Sequence, residues 1–265
     1  MSRSITIGQY LPGETFMHRL DARSKILSLL LIIVAIFTAS TFSGLLVLMF
    51  LVLLLLNLSR VPFNYLWRGL RPILVLLLLT LLMHLFFTSG GVVFWRWGPV
   101  TIEADGVYLG VFTALRLAIL IFFTMLTTLT TTPLSLTGAL EFLLKPLNYI
   151  RFPVSEMTMI IMISLRFIPT LMEESSRIVK AQMARGAKIG EGNIIQKARS
   201  LVPVVVPLFI SAFRRAEELA TAMEARCYQA GIKRTSLRVN RPTKADYAAV
   251  VCSSALAAAM ILTPW

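Results

Sequence analysis

The chain has 265 residues, 57% of them hydrophobic and 15% charged, where soluble chains run at roughly 45–50% and about 25%. With a mean hydropathy of +0.77, this composition excludes an ordinary soluble domain and points to an integral membrane protein. Lys and Arg outnumber Asp and Glu by 26 to 13, a net charge of +13, and the two cysteines, Cys227 and Cys252, have neither metal-binding nor disulfide spacing.

Tyr10 to Lys25 is expected to be an amphipathic lead-in and not a leader peptide, because the apolar run begins only after residue 25 and no Ala-x-Ala site follows an apolar stretch of about 7–15 residues. Ile26 to Ser59 is then 34 residues without a charge. One helix of that length would reach roughly 51 Å, against a hydrocarbon core of about 30 Å. The small and polar patch from Thr38 to Gly44 divides it into two short spans, 26–40 and 44–58. Pro72 to Trp95 is a third uncharged run, stopped at Thr88-Ser-Gly-Gly91. Gly106 to Leu129 is a fourth span, interrupted by Arg116, and the last runs from Tyr247 to about Thr263. The apolar stretches 157–172 and 200–213 are short and hold Arg166, Pro169, Pro203 and Pro207, so they are not counted as spans.

Positive charge in the loops sets the orientation of the five spans. Arg3, Arg19, Arg23 and Lys25 precede the first, and Arg60, Arg68 and Arg71 lie in the 59–72 loop. The alternate loops are poor in positive charge: 40–44 has none and 89–105 has only Arg96. The N-terminus is therefore expected in the cytoplasm, with three parts to the chain: spans one to four in 1–131, a cytoplasmic segment 132–246, and a last span in 247–265. The cytoplasmic segment holds 17 of the 26 basic residues. Positive-inside bias and anionic lipid account for that excess; nucleic acid does not, because no stacking aromatics interleave the basic residues.

Within 132–246, Thr132 as N-cap and Pro133 as first helical residue open an apolar helix that Lys145-Pro146 ends. Two long helices are expected next, 154–185 and 197–229. Each is apolar in its first half and charged in its second, and each carries small-Arg-small near its end: Ala184-Arg185-Gly186 and Ala225-Arg226-Cys227. The two segments match at an offset of 41, a weak repeat. The apolar halves should bury against the spans and the charged halves extend into the cytoplasm, with Arg185 and Arg226 at their tips. Arginine suits a docking role there, being always charged and offering five donors in a fixed fork.

Catalytic signatures are missing. No Walker-type loop occurs, since Gly186-Ala-Lys-Ile-Gly-Glu-Gly192 lacks the Lys-Ser/Thr pair, so the chain should not hydrolyse ATP by itself. His18 and His84 are the only histidines, too few for a metal cluster. Glu173-Glu174 and Glu217-Glu218 read as solvated helix faces. A self-sufficient carrier using Arg116 within the fourth span and His84 near the end of the third is the competing reading, because an intramembrane arginine is a functional candidate by default.

Several segments together resemble a known family. Gly8-Gln-Tyr-Leu-Pro-Gly13 with His18-Arg-Leu-Asp-Ala-Arg-Ser-Lys25 looks like the amino-terminal signature of EcfT, the CbiQ-related transmembrane T component of energy-coupling factor (ECF) type ABC transporters. Leu129-Thr-Thr-Thr-Pro133, Leu140-Glu-Phe-Leu-Leu-Lys-Pro146, Leu165-Arg-Phe-Ile-Pro169 and Arg215-Ala-Glu-Glu-Leu219 are similar to later parts of the family. The resemblance implies an all-α membrane protein of about five transmembrane helices and three cytoplasmic coupling helices, two of them long and crossed. It implies a non-catalytic subunit in a bacterial cell membrane, with no metal or cofactor of its own, ATP and magnesium being held by partners. Those partners would be two ABC-type ATPases, docked on Ala184, Arg185 and Gly186 and on Ala225, Arg226 and Cys227. A substrate-specific S component taking up a vitamin or metal ion would complete the assembly. Cys227 departs from the glycine often seen at its position.

Overall fold

A computed structural model describes residues 10–97, 100–150, 152–187, 189–190, 192–232 and 242–262; Arg3, Gly8 and Gln9 of the amino-terminal reading, with Lys188, Glu191 and Thr263, lie outside them. The chain divides into two compact units, Met1–Ala139 with Val239–Trp265, and Leu140–Arg238.

The first unit contains α1 (Phe16–Arg19), α2 (Ala22–Thr38), α3 (Phe42–Ser59), α4 (Phe63–Phe87), a hairpin of β1 (Val93–Trp97) and β2 (Val100–Glu103), α5 (Ala104–Thr130), the start of α6 (Pro133–Leu144), and α9 (Lys244–Leu262). α2 packs on α9 and on α5, α3 packs on α5, and α4 packs on α5. The core shared by α2, α3, α5 and α9 is Ile32, Ala35, Ile36, Leu45, Leu48, Val52, Ile119, Phe123 and Ala257. Around it large apolar side chains such as Phe37, Phe50, Leu53, Val75 and Phe87 face outward. A soluble protein would not expose such a surface, but a bilayer covers it.

The bundle is held by polar contacts at helix ends. Lys25, in the first turn of α2, is buried and donates through Nζ to the carbonyl of Thr130, the last residue of α5, at 2.8 Å. Arg116, in mid-α5, donates to the carbonyl of Ala39, the C-cap of α2, and its guanidinium lies 4.7 Å from the Phe112 ring centroid. Each of these antiparallel helices thus carries a cation that caps the other's C-terminus, and each pair of positions is 14 residues apart on its helix, about 21 Å. Asp246 does the same work for donors. Its carboxylate accepts from the Asp21 N–H, Ser24 Oγ, Thr243 N–H and Thr243 Oγ1, each at 2.7 Å, tying the first turn of α9 to that of α2. Burial lowers the Lys25 ammonium from 10.5 to about 8, opposed by Asp246 and then Asp21.

Two expectations shift in this unit. The helix that carries the third span begins earlier, at Phe63, so Arg71 lies on α4 and not in a loop, and Pro72 sits inside the helix. The 89–105 connection is an antiparallel hairpin pairing Trp97 with Val100 and Arg96 with Thr101, which charge-free runs could not reveal. α5 approaches α4 closely because a Cβ at Gly106 would lie 2.8 Å from the His84 carbonyl. The opening of α6 is as read: the Ser135 N–H donates to Thr132 Oγ1 at 3.2 Å.

The second unit consists of the end of α6, a 3-10 turn at Lys145–Ile150, α7 (Val154–Ala184) and α8 (Ile194–Ala225). α8 starts with a reciprocal cap between Asn193 and Gln196 and ends four residues before the expected boundary at 229. Six helices of the described residues are long and apolar enough to cross a membrane: α3, α4 from Gly69, α5, α7, α8 and α9. That set, drawn by length and composition alone, includes α7 and α8, which the sequence reading left out, and omits α2, which it counted. α7 and α8 run 31 and 32 residues, because their prolines are accommodated inside the helices and do not end them. α2, the first span of the sequence reading, has 17 residues, about 25 Å.

Candidate functional site: two arginine tips

α7 and α8 run antiparallel. Glu174 of α7 accepts from Arg215 Nη2 of α8 at 2.7 Å and also from Ser211 Oγ, while the Gln182 amide, two turns further along α7, donates to the carbonyl of Pro203 at 3.4 Å. At the far end the Gly231 N–H, beyond α8, donates to Glu156 Oε1 near the start of α7 at 3.0 Å. Arg185 and Arg226, each at the C-terminal end of its helix, therefore lie at opposite ends of the pair.

The two ends are built alike. Arg185 is the C-cap of α7; Gly186 follows at φ +86°, and the Ala187 N–H donates to the Gln182 carbonyl at 3.0 Å. Arg226 is the C-cap of α8; Cys227 follows at φ +59°, and the Tyr228 N–H donates to the Met223 carbonyl at 3.0 Å. This is the six-to-one closure of a Schellman ending, reproduced residue for residue at the offset of 41. The turn carries the chain away immediately after the arginine. Ala184, Arg185, Gly186, Ala225, Arg226 and Cys227 are all left exposed. Each guanidinium stands at the negative end of a helix of more than 30 residues. A cavity of about 540 Å³ opens beside the second tip, lined by Met223, Arg226, Cys227, Tyr228, Gln229 and Ile232.

Sequence reasoning placed Glu174 on a solvated face, and that is corrected: its side chain is 23% exposed and engaged by α8. The signal was present in the repeat, since Glu174 and Arg215 are 41 residues apart and so occupy equivalent positions. Arg116 and His84 are engaged locally, Arg116 with Ala39 and His84 Nδ1 with Thr88 Oγ1 at 3.2 Å. Among the described residues no group of three or more His, Cys, Asp or Glu could hold a metal ion.

The structure thus defines a multi-helical membrane protein with a second unit built around two like-shaped cationic helix ends. The family model described as cobalt transport protein, CbiQ, matches residues 13–237. The energy-coupling factor transporter transmembrane protein EcfT of Thermosediminibacter oceani is 47% identical over 261 residues, 98% of this chain and 98% of that protein. The EcfT proteins of Clostridium kluyveri and Bacillus subtilis are 46% and 43% identical over 264 and 258 residues, 98% and 97% of their lengths. The chain belongs to the EcfT/CbiQ family of ECF transporter transmembrane components. It is a multi-pass membrane protein of the bacterial type and a non-catalytic coupling component.

Proposed function

We propose that the chain couples two ABC-type ATPases to an S component that takes up a vitamin or metal ion, with one ATPase docked on Ala184-Arg185-Gly186 and the other on Ala225-Arg226-Cys227. The observation that carries this reading is the duplicated Schellman ending. Two exposed arginines, each beside small residues and each released from its helix by the same turn, make two equivalent sockets for two similar partners. A small residue on either side lets another backbone come close, and the fork of the guanidinium can bind a carboxylate or carbonyls at that distance. ATP hydrolysis belongs to the partners, and this chain transmits their motion. In this reading residues 132–246 face the cytoplasm, as does the N-terminus, following the loop charges; 1–131 and 247–265 lie with the membrane.

The test is a pull-down from mild-detergent membranes of the source cell with this chain tagged, the wild type beside Arg185→Glu/Arg226→Glu. ATPases and a small membrane protein should accompany the wild type, and the ATPases should be lost from the double variant while its yield and thermal unfolding are unchanged. A double variant that keeps its ATPases would refute the docking role.

A further inference from the structure

The contact between α7 and α8 has a symmetry that neither helix has alone. Glu174 and Arg215 are equivalent under the 41-residue repeat, and they bond to each other. In an antiparallel pair of repeats, equivalent residues meet only at the pseudo-two-fold axis. From that point each helix continues 11 residues to its arginine, from Glu174 to Arg185 and from Arg215 to Arg226, about 16 Å on either arm. The arms are therefore equal in length.

Neither arm is interrupted by proline. Residues 175–184 and 216–225 contain none, whereas Pro169 of α7 and both Pro203 and Pro207 of α8 lie on the other side of the meeting point. Proline in a helix interior removes the N–H that would serve the carbonyl four residues back. Pro207 thereby orphans the carbonyl of Pro203 within α8, and that is the carbonyl the Gln182 amide of α7 reaches. Beyond the axis, each helix is weakened. At the axis, Ser211 is buried and bonded to the same carboxylate as Arg215.

We propose that Glu174 and Arg215 are positioning residues that join the two arms into one yoke, so that motion of the docked tips is delivered to the proline-containing halves of α7 and α8. The proposal rests on the docking reading above and adds to it. Without the ion pair each arm follows its own ATPase, hydrolysis continues, and the motion is not passed on. Gln182 serves the same yoke from its side, holding the weakened turn of α8 against α7.

The experiment uses the whole complex, this chain with its ATPases and S component, in proteoliposomes. An environment-sensitive fluorescent amino acid is placed at Ile160, an exposed position on the proline side of α7, and the probe added is Mg·ATP. Nucleotide should shift the fluorescence of the otherwise wild-type complex. Glu174→Gln should lose that shift while keeping its ATPases on pull-down and continuing to hydrolyse ATP. The exchange Glu174→Arg/Arg215→Glu should restore the shift, which a general packing defect would not allow. The yoke is overturned if nucleotide produces no shift in the otherwise wild-type complex. It is equally overturned if Glu174→Gln keeps the full shift, if it sheds its ATPases, or if the exchange fails to restore the response. Failure of the docking reading would show separately, as ATPases retained by Arg185→Glu/Arg226→Glu.

Discussion

Position 227 illustrates how a single residue type distinguishes two ends with the same backbone turn. Gly186 and Cys227 both occupy the left-handed region, at φ +86° and +59°, which costs a residue with a Cβ roughly 1–2 kcal/mol. Cys227→Gly should accordingly raise stability by about 1 kcal/mol, and Gly186→Ala should lower it by a similar amount, both read from thermal unfolding in detergent. The surroundings at Gly186 are open, with nothing within 4 Å of an added Cβ, so the second effect is one of backbone strain alone. Lys25 gives a pH dependence of definite sign. Its folded-state value of about 8 lies below 10.5, so the unfolded chain binds the proton more tightly. The penalty is complete below about pH 8 and is relieved as pH rises toward 10.5, where stability increases. Lys25→Met should flatten that rise in a pH series of melting curves.

At the level of elements, the reciprocal caps between α2 and α5 explain an arginine inside an apolar helix. Arg116 is held by the C-terminal end of α2 through the carbonyl of buried Ala39, and hydrogen bonds to charged groups are worth about 1.5–3 kcal/mol. Arg116→Leu should lower the stability of the complex by about 2 kcal/mol, with ATP-driven uptake falling only as far as the folded fraction does. Uptake abolished in fully folded Arg116→Leu would instead favour a cargo path through this residue. The antiparallel pairing of α7 and α8 makes a second prediction. Spin labels carried by noncanonical residues at positions 183 and 224 should lie roughly 25–30 Å apart, each about nine residues from the Glu174–Arg215 contact. A separation under about 12 Å would place both tips at one end and refute the antiparallel arrangement.

For the molecule as a whole, two kinds of surface divide the labour. The first unit exposes apolar side chains around a core joined at its ends by Lys25, Arg116 and Asp246. The second presents two arginine tips on opposite ends of one helical pair. A coupling component needs a rigid body that two partners can bias together, and two equal arms sharing one ion pair meet that requirement. Under the docking proposal, reversing a single tip, as Arg185→Glu or Arg226→Glu, should remove one of two ATPases and leave the other bound, a stoichiometry that native mass spectrometry of the purified complex would report.

Much of this was legible in residue order. Charge-poor runs gave the positions of α2, α3, α5 and α9 because burying a charge in hydrocarbon is costly, and Thr132-Pro133 gave the start of α6 because a cap is a local contact. The two small-Arg-small segments and their offset of 41 were likewise readable in advance. Tertiary structure alone decided what those segments do relative to one another. Running antiparallel, α7 and α8 send equivalent arginines to opposite ends and bring Glu174 against Arg215. It decided equally that Lys25 and Arg116 answer each other across α2 and α5. Local sequence encodes hydropathy, caps and turns through contacts a few residues apart, whereas these pairs join positions 41, 77 and 105 apart, and only the packing of helices determines which of them meet.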